Sequence, residues 1–196
     1  MRLDADLAIV GPYDSRFTRA LLAARGLRFE VLAPWGTFDE VTQGVRAFAA
    51  LIGQAARGES LVGEIEASLG RIDARSGRGA TALVLHRRGY VYHSGLIAEV
   101  ASRAGLVDVA PRMGVATSGF VSLEALVAAR PDYLIVSEHE AEAMDQGQAF
   151  LAHPALARLW PAARRLVLPD RLTICGGPST PALVAQFASE IAVKVK

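Results

Sequence analysis

The sequence predicts an α/β fold in which two small parallel-sheet lobes are joined by one long helix. Short apolar runs alternate with amphipathic stretches on both sides of residues 58–74, a pattern typical of mostly parallel sheets. Within 58–74, apolar residues recur at steps of four, four and three, the period of one helix face: Leu61, Ile65, Leu69 and Ile72. This stretch predicts a helix between two α/β units. An ordinary surface helix inside a single sheet domain is the alternative interpretation.

Three segments follow from this pattern: residues 1–57 as a partial N-terminal lobe, 58–76 as the connecting helix, and 77–196 as the C-terminal lobe. In the first segment we expect a buried parallel strand at 7–10 and a second strand at 29–32. The helix between them has an apolar face that consists of Phe17, Ala20, Leu21 and Ala24.

The last segment repeats the alternation. Apolar runs predict strands at 82–85, 133–136 and 166–168, and periodic stretches predict helices at 96–104, 122–129, 155–159 and 180–193. Polar, glycine-containing sequence predicts loops at 86–94 and 108–120. The acidic stretch 137–148 predicts the start of a short helix.

Composition excludes several classes of protein. The net charge is +1, with 21 basic and 20 acidic residues, so nucleic acid or an anionic membrane is not expected as the main partner. The single cysteine, Cys175, excludes an intrachain disulfide framework. No apolar run approaches the ~18 residues of a membrane span. The first residues show no signal-peptide pattern, which taken alone predicts a cytoplasmic chain.

Aromatic residues follow several of the predicted strands, where ligands of open α/β sheets bind. They are Tyr13, Trp35, Tyr90 and Tyr92. Aromatic side chains at such positions suit a bulky, partly apolar ligand through stacking and area burial. The alternative is that each ring anchors its own loop by packing back on the lobe.

Histidine-containing clusters are weaker candidates for a metal site. His86 with His93, or His139 with Glu138 and Glu142, place potential ligands near one another. Their spacing matches no zinc signature, and a solvated helix start is the favoured interpretation of the acidic cluster. We therefore predict no metal site and no bound cofactor.

Cys175 precedes a glycine-rich segment and a predicted helix start, a position that lowers the pKa of a thiol and suits a nucleophile. Cys-Gly-Gly-Pro is also similar to an anion cradle. The Gly-Lys-Ser/Thr of a phosphate loop does not follow it. A cysteine enzyme is therefore a minor alternative, and the chain is predicted not to be an enzyme.

Several motifs occur in an order that matches one family. Ser-Leu-Glu-Ala-Leu at 122–126 and Arg-Pro-Asp-Tyr-Leu-Ile-Val at 130–136 are the most specific, with weaker matches at 3–10, 38–41, 92–95, 153–156, 166–169 and 175–178. Together they resemble the substrate-binding proteins of bacterial ABC importers for cobalamin, iron-siderophores and haem. In that family two lobes are joined by one rigid helix, as in the fold predicted above.

The resemblance implies a solute-binding component that takes up an iron chelate, haem or corrinoid in a cleft between lobes and presents it to a membrane permease. By position, Tyr13 and Trp35 would face the ligand from the first lobe. Tyr92, the loop at Ser118 and the loop from Thr173 to Cys175 would face it from the second lobe. Glu124 resembles the acidic residue that docks on permease arginines. The family also implies a periplasmic location.

The start of the chain departs from the family pattern. Family members carry a signal peptide and one or two strands ahead of the segment that matches 3–10. An incomplete first lobe would expose a strand edge, which favours pairing with a second copy. We therefore predict a dimer or larger assembly. A small cytosolic α/β enzyme that uses Cys175 and a truncated remnant without a ligand are the alternatives to the importer function.

Overall fold

The computed structural model describes residues 5–138, 150, 153–173 and 176–196. It divides into two compact units, Met1–Trp35 and Gly36–Lys196. Strands and helices alternate through both units, so the predicted α/β class is confirmed. In the described part of the chain, no helix combines the length and apolar character needed to cross a membrane.

The first unit contains β1 (Leu7–Val10), α1 (Arg16–Ala24) and β2 (Arg28–Val31). β1 and β2 pair in parallel, with Val10 opposite Val31. The predicted strand at 7–10 is present, but its predicted burial is wrong: Val10 is buried, whereas Ile9 is 42% exposed. Within the described residues this sheet has only two strands, so each strand has one neighbour. The apolar face of α1 is likewise exposed at Phe17 and Leu21.

The second unit begins with two helices and continues as a sheet with interspersed helices. Its elements are α2 (Phe38–Leu51), α3 (Ala55–Gly70), β3 (Thr81–His86), β4 (Tyr90–Tyr92), α4 (Leu96–Arg103), β5 (Val107–Asp108), β6 (Ser118–Phe120), α5 (Leu123–Ala129), β7 (Tyr133–Ser137), α6 (Pro154–Leu159), β8 (Arg165–Leu168), α7 (Asp170–Thr173) and α8 (Thr180–Lys194).

The strands of this unit form one mixed sheet in the order β6-β4-β3-β7-β8, with β5 also paired to β3. β3, β7 and β8 are parallel, whereas β4 is antiparallel to both β3 and β6. The predicted loops at 86–94 and 108–120 are therefore wrong in part, because they contain β4 and β6. These strands have only three residues each, too few to form an apolar run. The predicted helix at 137–148 lies almost wholly outside the described residues.

The sheet carries a buried core on each face. One core joins β3 and β7 to α4 and α8 through residues such as Val84, Ile135 and Phe187. The other includes Leu85 and Trp160, together with apolar residues of α5 and α6. The Trp160 indole Nε1–H donates to the Pro131 carbonyl at 2.7 Å, so its polar group is satisfied inside this core.

α3 begins and ends three to four residues earlier than the predicted helix at 58–74. Its buried positions are Gly58, Val62, Ile65 and Ser68, whereas the predicted Leu61 and Leu69 are only partly buried. α3 packs against α2 and α8, so the predicted boundary at 57/58 lies inside the second unit. The division into partial lobe, connecting helix and second lobe stays a prediction.

Gly58 permits the close approach of α2 and α3, because a Cβ at this position would overlap the Cβ of Ala49. Gly58→Ala should therefore lower the free energy of unfolding by about 1–3 kcal/mol through overpacking. Gly63 is the matched control in the same helix, since no atom lies within 4 Å of its added Cβ. Gly63→Ala should raise stability by about 0.5–1 kcal/mol. Urea titrations followed by circular dichroism measure both, and equal effects of the two substitutions would refute the packing argument.

Asp132 ties the start of β7 to the start of β3. Its Oδ2 accepts hydrogen bonds from the Thr81 Oγ1 at 2.7 Å and from the Thr81 backbone N–H at 2.8 Å, while its own N–H donates to Thr81 Oγ1 at 2.9 Å. The Thr81 hydroxyl and then the Thr81 N–H hold the pKa of Asp132 below its usual range. The link joins the first residue of β3 to the residue just before β7, its parallel neighbour.

The lowered pKa of Asp132 predicts acid sensitivity of the fold. The unfolded chain binds this proton more readily than the folded chain, so the stabilisation is complete above the unfolded pKa and is lost as the pH falls below about 4. Thr81→Val removes the hydroxyl and should make the loss of stability in this range shallower. Thr81→Ser keeps the hydroxyl and should behave as wild type. Thermal unfolding between pH 2.5 and 7 tests this, and indistinguishable pH profiles for Thr81→Val and Thr81→Ser would disprove it.

Candidate functional site

Four ring side chains form a continuous surface at the carboxyl end of β3, here called the aromatic face: His86, Tyr90, Tyr92 and Phe120. Strand register brings them together, because His86 lies opposite Tyr90 and Tyr90 lies opposite Phe120. Side chains two residues apart on a strand share one face of the sheet. Val91, between the two tyrosines, points to the other face and is fully buried there.

The rings of the aromatic face meet edge to face. Ring centroids are 4.7 Å apart for His86 and Tyr92, 5.1 Å for Tyr90 and Tyr92, and 4.8 Å for Tyr90 and Phe120, with interplanar angles between 70° and 81°. This is a favourable arrangement of aromatic quadrupoles. Phe120 is 71% exposed and Tyr92 is 39% exposed. Exposed, mutually supported rings of this kind suit contact with a large, partly apolar ligand.

Ser118 supplies a hydroxyl beside the rings. It lies on β6 opposite Tyr92, and the Tyr90 Oη–H donates to its Oγ at 2.8 Å. Because Tyr90 donates in this bond, the Ser118 O–H proton remains for another acceptor. The aromatic face therefore combines ring area with a hydroxyl group.

The turn Arg87–Gly89 between β3 and β4 depends on glycine. Gly89 has a positive φ of 76°, and a Cβ there would lie 2.6 Å from the Val121 carbonyl oxygen. The Gly89 carbonyl also accepts a hydrogen bond from the Val121 N–H at 2.9 Å. A side chain at this position would push β6 away from the turn, so glycine holds the strands that carry the rings in register.

His93 and Asp108 form a second polar pair just beyond β4. The His93 Nδ1 lies 2.7 Å from Asp108 Oδ2, and the Ala110 N–H donates to Asp108 Oδ1 at 2.8 Å. A carboxylate beside Nδ1 favours the tautomer with its proton on that nitrogen. Both residues line a cavity of about 280 Å³ between β3 and α4, together with Ser94 and Glu99.

The predicted ligand-binding residues fall into separate groups. Tyr90, Tyr92 and Ser118 are brought together by the β3-β4-β6 pairing. Tyr13 and Trp35 belong to the first unit, where Tyr13 is 89% exposed and Trp35 is half-buried.

Two further predicted ligand contacts come from the segment after β8. Thr173 ends α7, and its Oγ1 donates to the Asp170 carbonyl at 3.0 Å. Cys175 lies outside the described residues.

Glu124 lies in the first turn of α5 and is exposed. Hydrogen bonds from its own backbone N–H and then from the Ser122 hydroxyl lower the pKa of Glu124. The Ser122 side chain also caps the helix by accepting from the Ala125 N–H at 3.1 Å. The carboxylate is therefore charged at neutral pH and faces solvent.

The predicted metal candidates do not form a cluster in the described residues. His86 packs on Tyr92 and His93 pairs with Asp108, while His139 and Glu142 lie outside the described part of the chain. The residues that the structure describes contain no group of three or more His, Cys, Asp or Glu side chains that could hold a metal ion.

Sequence reasoning missed Phe120 and Asp108 as members of these arrangements. Phe120 lies 28 to 34 residues from its ring partners along the chain, and only the antiparallel register of β6 places it opposite Tyr90. The sequence signal that could have indicated Phe120 is an aromatic residue within a glycine-containing segment. Asp108 is the second residue of the two-residue strand β5, which is too short to form an apolar run in the sequence.

Comparisons with known proteins agree on one family. A family model described as periplasmic binding protein matches residues 19–165. The periplasmic haem-binding protein RhuT from Roseiflexus sp. RS-1, in its apo form, is 24% identical with a TM-score of 0.76, over 96% of this chain and 77% of that chain. A periplasmic haem-binding protein from Pseudomonas aeruginosa is 21% identical with a TM-score of 0.74, over 96% and 72%.

A third solved structure, the periplasmic vitamin B12 binding protein BtuF of Vibrio cholerae, is 16% identical with a TM-score of 0.62, over 97% of this chain and 75% of that chain. Comparison with curated protein sequences gives no significant match. At these identities the structural likeness establishes the fold, whereas the family model covers most of the chain. The chain belongs to the family of periplasmic binding proteins.

Proposed function

We propose that this chain is the solute-binding component of an ABC importer and that its aromatic face contacts an iron chelate, haem or corrinoid. The observation that carries the proposal is the row of His86, Tyr90, Tyr92 and Phe120 at the carboxyl end of β3. In α/β folds this end of the strands is where ligands bind. Rings that remain exposed at such a place are available for a large apolar surface.

The similar proteins support the class of ligand. Two of them are described as haem-binding and one as vitamin B12 binding. Another, from Saccharomonospora viridis DSM 43017, belongs to an ABC-type Fe3+-hydroxamate transport system. Haem and corrinoids present broad, partly apolar ring systems, which aromatic side chains contact well. The proposal assigns the chain a binding role, and catalysis at Cys175 remains the alternative.

The remaining predicted residues are proposed as ligand contacts only by resemblance to the family. They are Tyr13 and Trp35 of the first unit, and Thr173 and Cys175 after β8. Membership of a family of periplasmic binding proteins supports a periplasmic location. Association of two copies through the first unit stays a prediction.

Equilibrium dialysis against cobalamin, a ferric hydroxamate siderophore and haemin tests the ligand proposal. We expect saturable binding of one of them. Tyr92→Ala should weaken its affinity by about tenfold or more, because truncation removes a central contact ring. Trp35→Ala should weaken binding as well. Val193→Ala is the control within the second unit, since Val193 is an exposed apolar residue of α8 and not of the strands that carry the aromatic face.

The same titrations separate a binding protein from a cysteine enzyme. Cys175→Ala should change affinity much less than Tyr92→Ala does, because a thiol contributes far less contact area than an aromatic ring; an enzyme that uses Cys175 predicts the reverse. Absence of saturable binding to all three ligands would overturn the ligand proposal. Equal losses in Tyr92→Ala and Val193→Ala would show that the aromatic face is not the contact surface.

Glu124 is proposed to dock the second unit on arginines of the membrane permease. Its carboxylate is exposed, charged at neutral pH, and fixed at the start of α5. Glu124→Gln keeps the size of the side chain and removes the charge, so it should weaken ligand-stimulated ATP hydrolysis by the reconstituted importer without changing ligand affinity. Glu64→Gln, at an exposed position of α3, is the control. Wild-type stimulation by Glu124→Gln would argue against this docking role.

A further inference from the structure

A second concave surface lies in the second unit, between the end of α3 and the helices α4 and α8. This arginine groove has a volume of about 340 Å³ and carries Arg71, Arg75 and Arg78 on its rim. Its floor consists of apolar residues of α8: Ala188 and Ala192 are exposed, whereas Val184, Phe187 and Ile191 belong to the core beneath the groove. None of the residues that line it belongs to the aromatic face.

The rim of the arginine groove has an excess of positive charge. In the described part of the chain, the guanidinium groups of Arg71, Arg75 and Arg78 have no hydrogen-bond or ion-pair partner, and all three residues are exposed. Asp73 is the acidic residue among the lining residues, and its Oδ1 accepts from the Arg75 backbone N–H at 2.9 Å. The groove therefore presents three guanidinium groups to one carboxylate.

Two other arginines of this unit are paired with acids. Arg46 lies 3.0 Å from Glu59, and Arg103 lies 2.7 Å from Glu99. The chain as a whole is almost neutral, with a net charge of +1. The excess of positive charge at the groove is therefore local and is not a consequence of a basic protein surface.

The segment that carries the three arginines is held in place by α4 and the residues after it. The Gly77 N–H donates to the Ala104 carbonyl at 2.6 Å, and the Gly79 N–H donates to the Gly105 carbonyl at 3.1 Å. A Cβ at Gly77 would lie 2.7 Å from the backbone of residues 104–106, so the two backbone segments are in direct contact. Fixed backbone positions reduce the entropy lost when side chains close on a ligand.

We propose that the arginine groove binds a small organic anion, with its carboxylate or phosphate on the guanidinium groups and its apolar body on the floor. Guanidinium groups form charge-assisted, often bidentate bonds with both kinds of oxyanion. The apolar floor gives an amphiphilic anion an advantage over an inorganic ion. The volume lies at the lower end of the range for small-molecule pockets, about 300–1,000 Å³. A ligand of roughly the size of decanoate fits this description.

Isothermal titration calorimetry with four probes tests the proposal, with the two amphiphilic anions kept below their micellar concentrations. Decanoate and decyl phosphate combine an apolar chain with a carboxylate and a phosphate, respectively. Decanol has the apolar chain without a charge, and inorganic phosphate has the charge without a chain. We expect saturable binding of one or both amphiphilic anions, and at least about tenfold weaker binding of decanol and inorganic phosphate. The stronger of the two anions identifies the headgroup. Equal affinity for decanol, equal affinity for inorganic phosphate, or no binding of either anion would overturn the proposal.

Variants locate the binding to the groove. The triple variant Arg71→Gln, Arg75→Gln and Arg78→Gln should lose about tenfold in affinity for each charge-assisted bond removed. Ala188→Trp fills the apolar part of the groove at an exposed lining position and should also weaken binding. The double variant Arg112→Gln and Arg158→Gln removes exposed arginines elsewhere in the same unit and should bind as wild type. Retained affinity in the triple variant, or an equal loss in the double variant, would refute the assignment.

The proposed anion site and the proposed importer ligand are tested separately. The arginine variants should bind cobalamin, siderophore or haemin as wild type does, because the groove is built by α3, α4 and α8 and the aromatic face by β3, β4 and β6. Tyr92→Ala should in turn leave decanoate binding unchanged. Failure of either proposal therefore leaves the other intact.

Discussion

The pairing of β4 with both β3 and β6 is the constraint on which the aromatic face depends. β4 has three residues, and Val91 in its middle is fully buried in the core beneath the sheet. That anchor fixes which face the flanking tyrosines occupy. A shift of one residue in register would turn Tyr90 and Tyr92 into the core and bring Val91 to the surface. The burial of one valine thus decides the exposure of the ring surface.

The opposite edge of the sheet is held by the end of α8. The Lys194 Nζ donates to the Glu190 carboxylate and to the Arg165 carbonyl, each at 2.7 Å. Glu190 also accepts from the Val167 N–H at 2.8 Å, and Tyr133 donates to the Lys194 carbonyl at 3.0 Å. These bonds lock the last turns of α8 to β7 and β8. Because α8 supplies the floor of the arginine groove, the same bonds keep that floor in place.

The most accurate predictions from the sequence are the strands that consist of apolar runs. The strands at 82–85, 133–136 and 166–168 were found within one residue at each end, because buried parallel strands read as continuous hydrophobic stretches. β4 and β6 were missed because each is three residues long and rich in aromatic and polar residues. The burial of β1 was overestimated, since an apolar run does not reveal how many neighbours a strand has.

The sequence predicted only part of the candidate site. Tyr90 and Tyr92 were identified because they follow a predicted strand, and Ser118 because its segment resembles a family loop. Phe120 was not identified, because cross-strand register is a tertiary property. The arginine groove was also missed, since its rim comes from one loop and its floor from a helix more than 100 residues later in the chain.

The chemistry of the aromatic face bears on how a ligand would be selected. His86, Tyr90, Tyr92 and Phe120 supply mostly apolar ring area, and ring contacts tolerate variation in the polar groups of a ligand. The Tyr90 Oη–H donates to Ser118, so the direction of that hydroxyl is fixed by the protein. Discrimination between ligands of similar size would then depend on hydrogen bonds such as the one that Ser118 can donate. A polar group that is buried on binding without a partner costs more free energy than the loss of one ring contact.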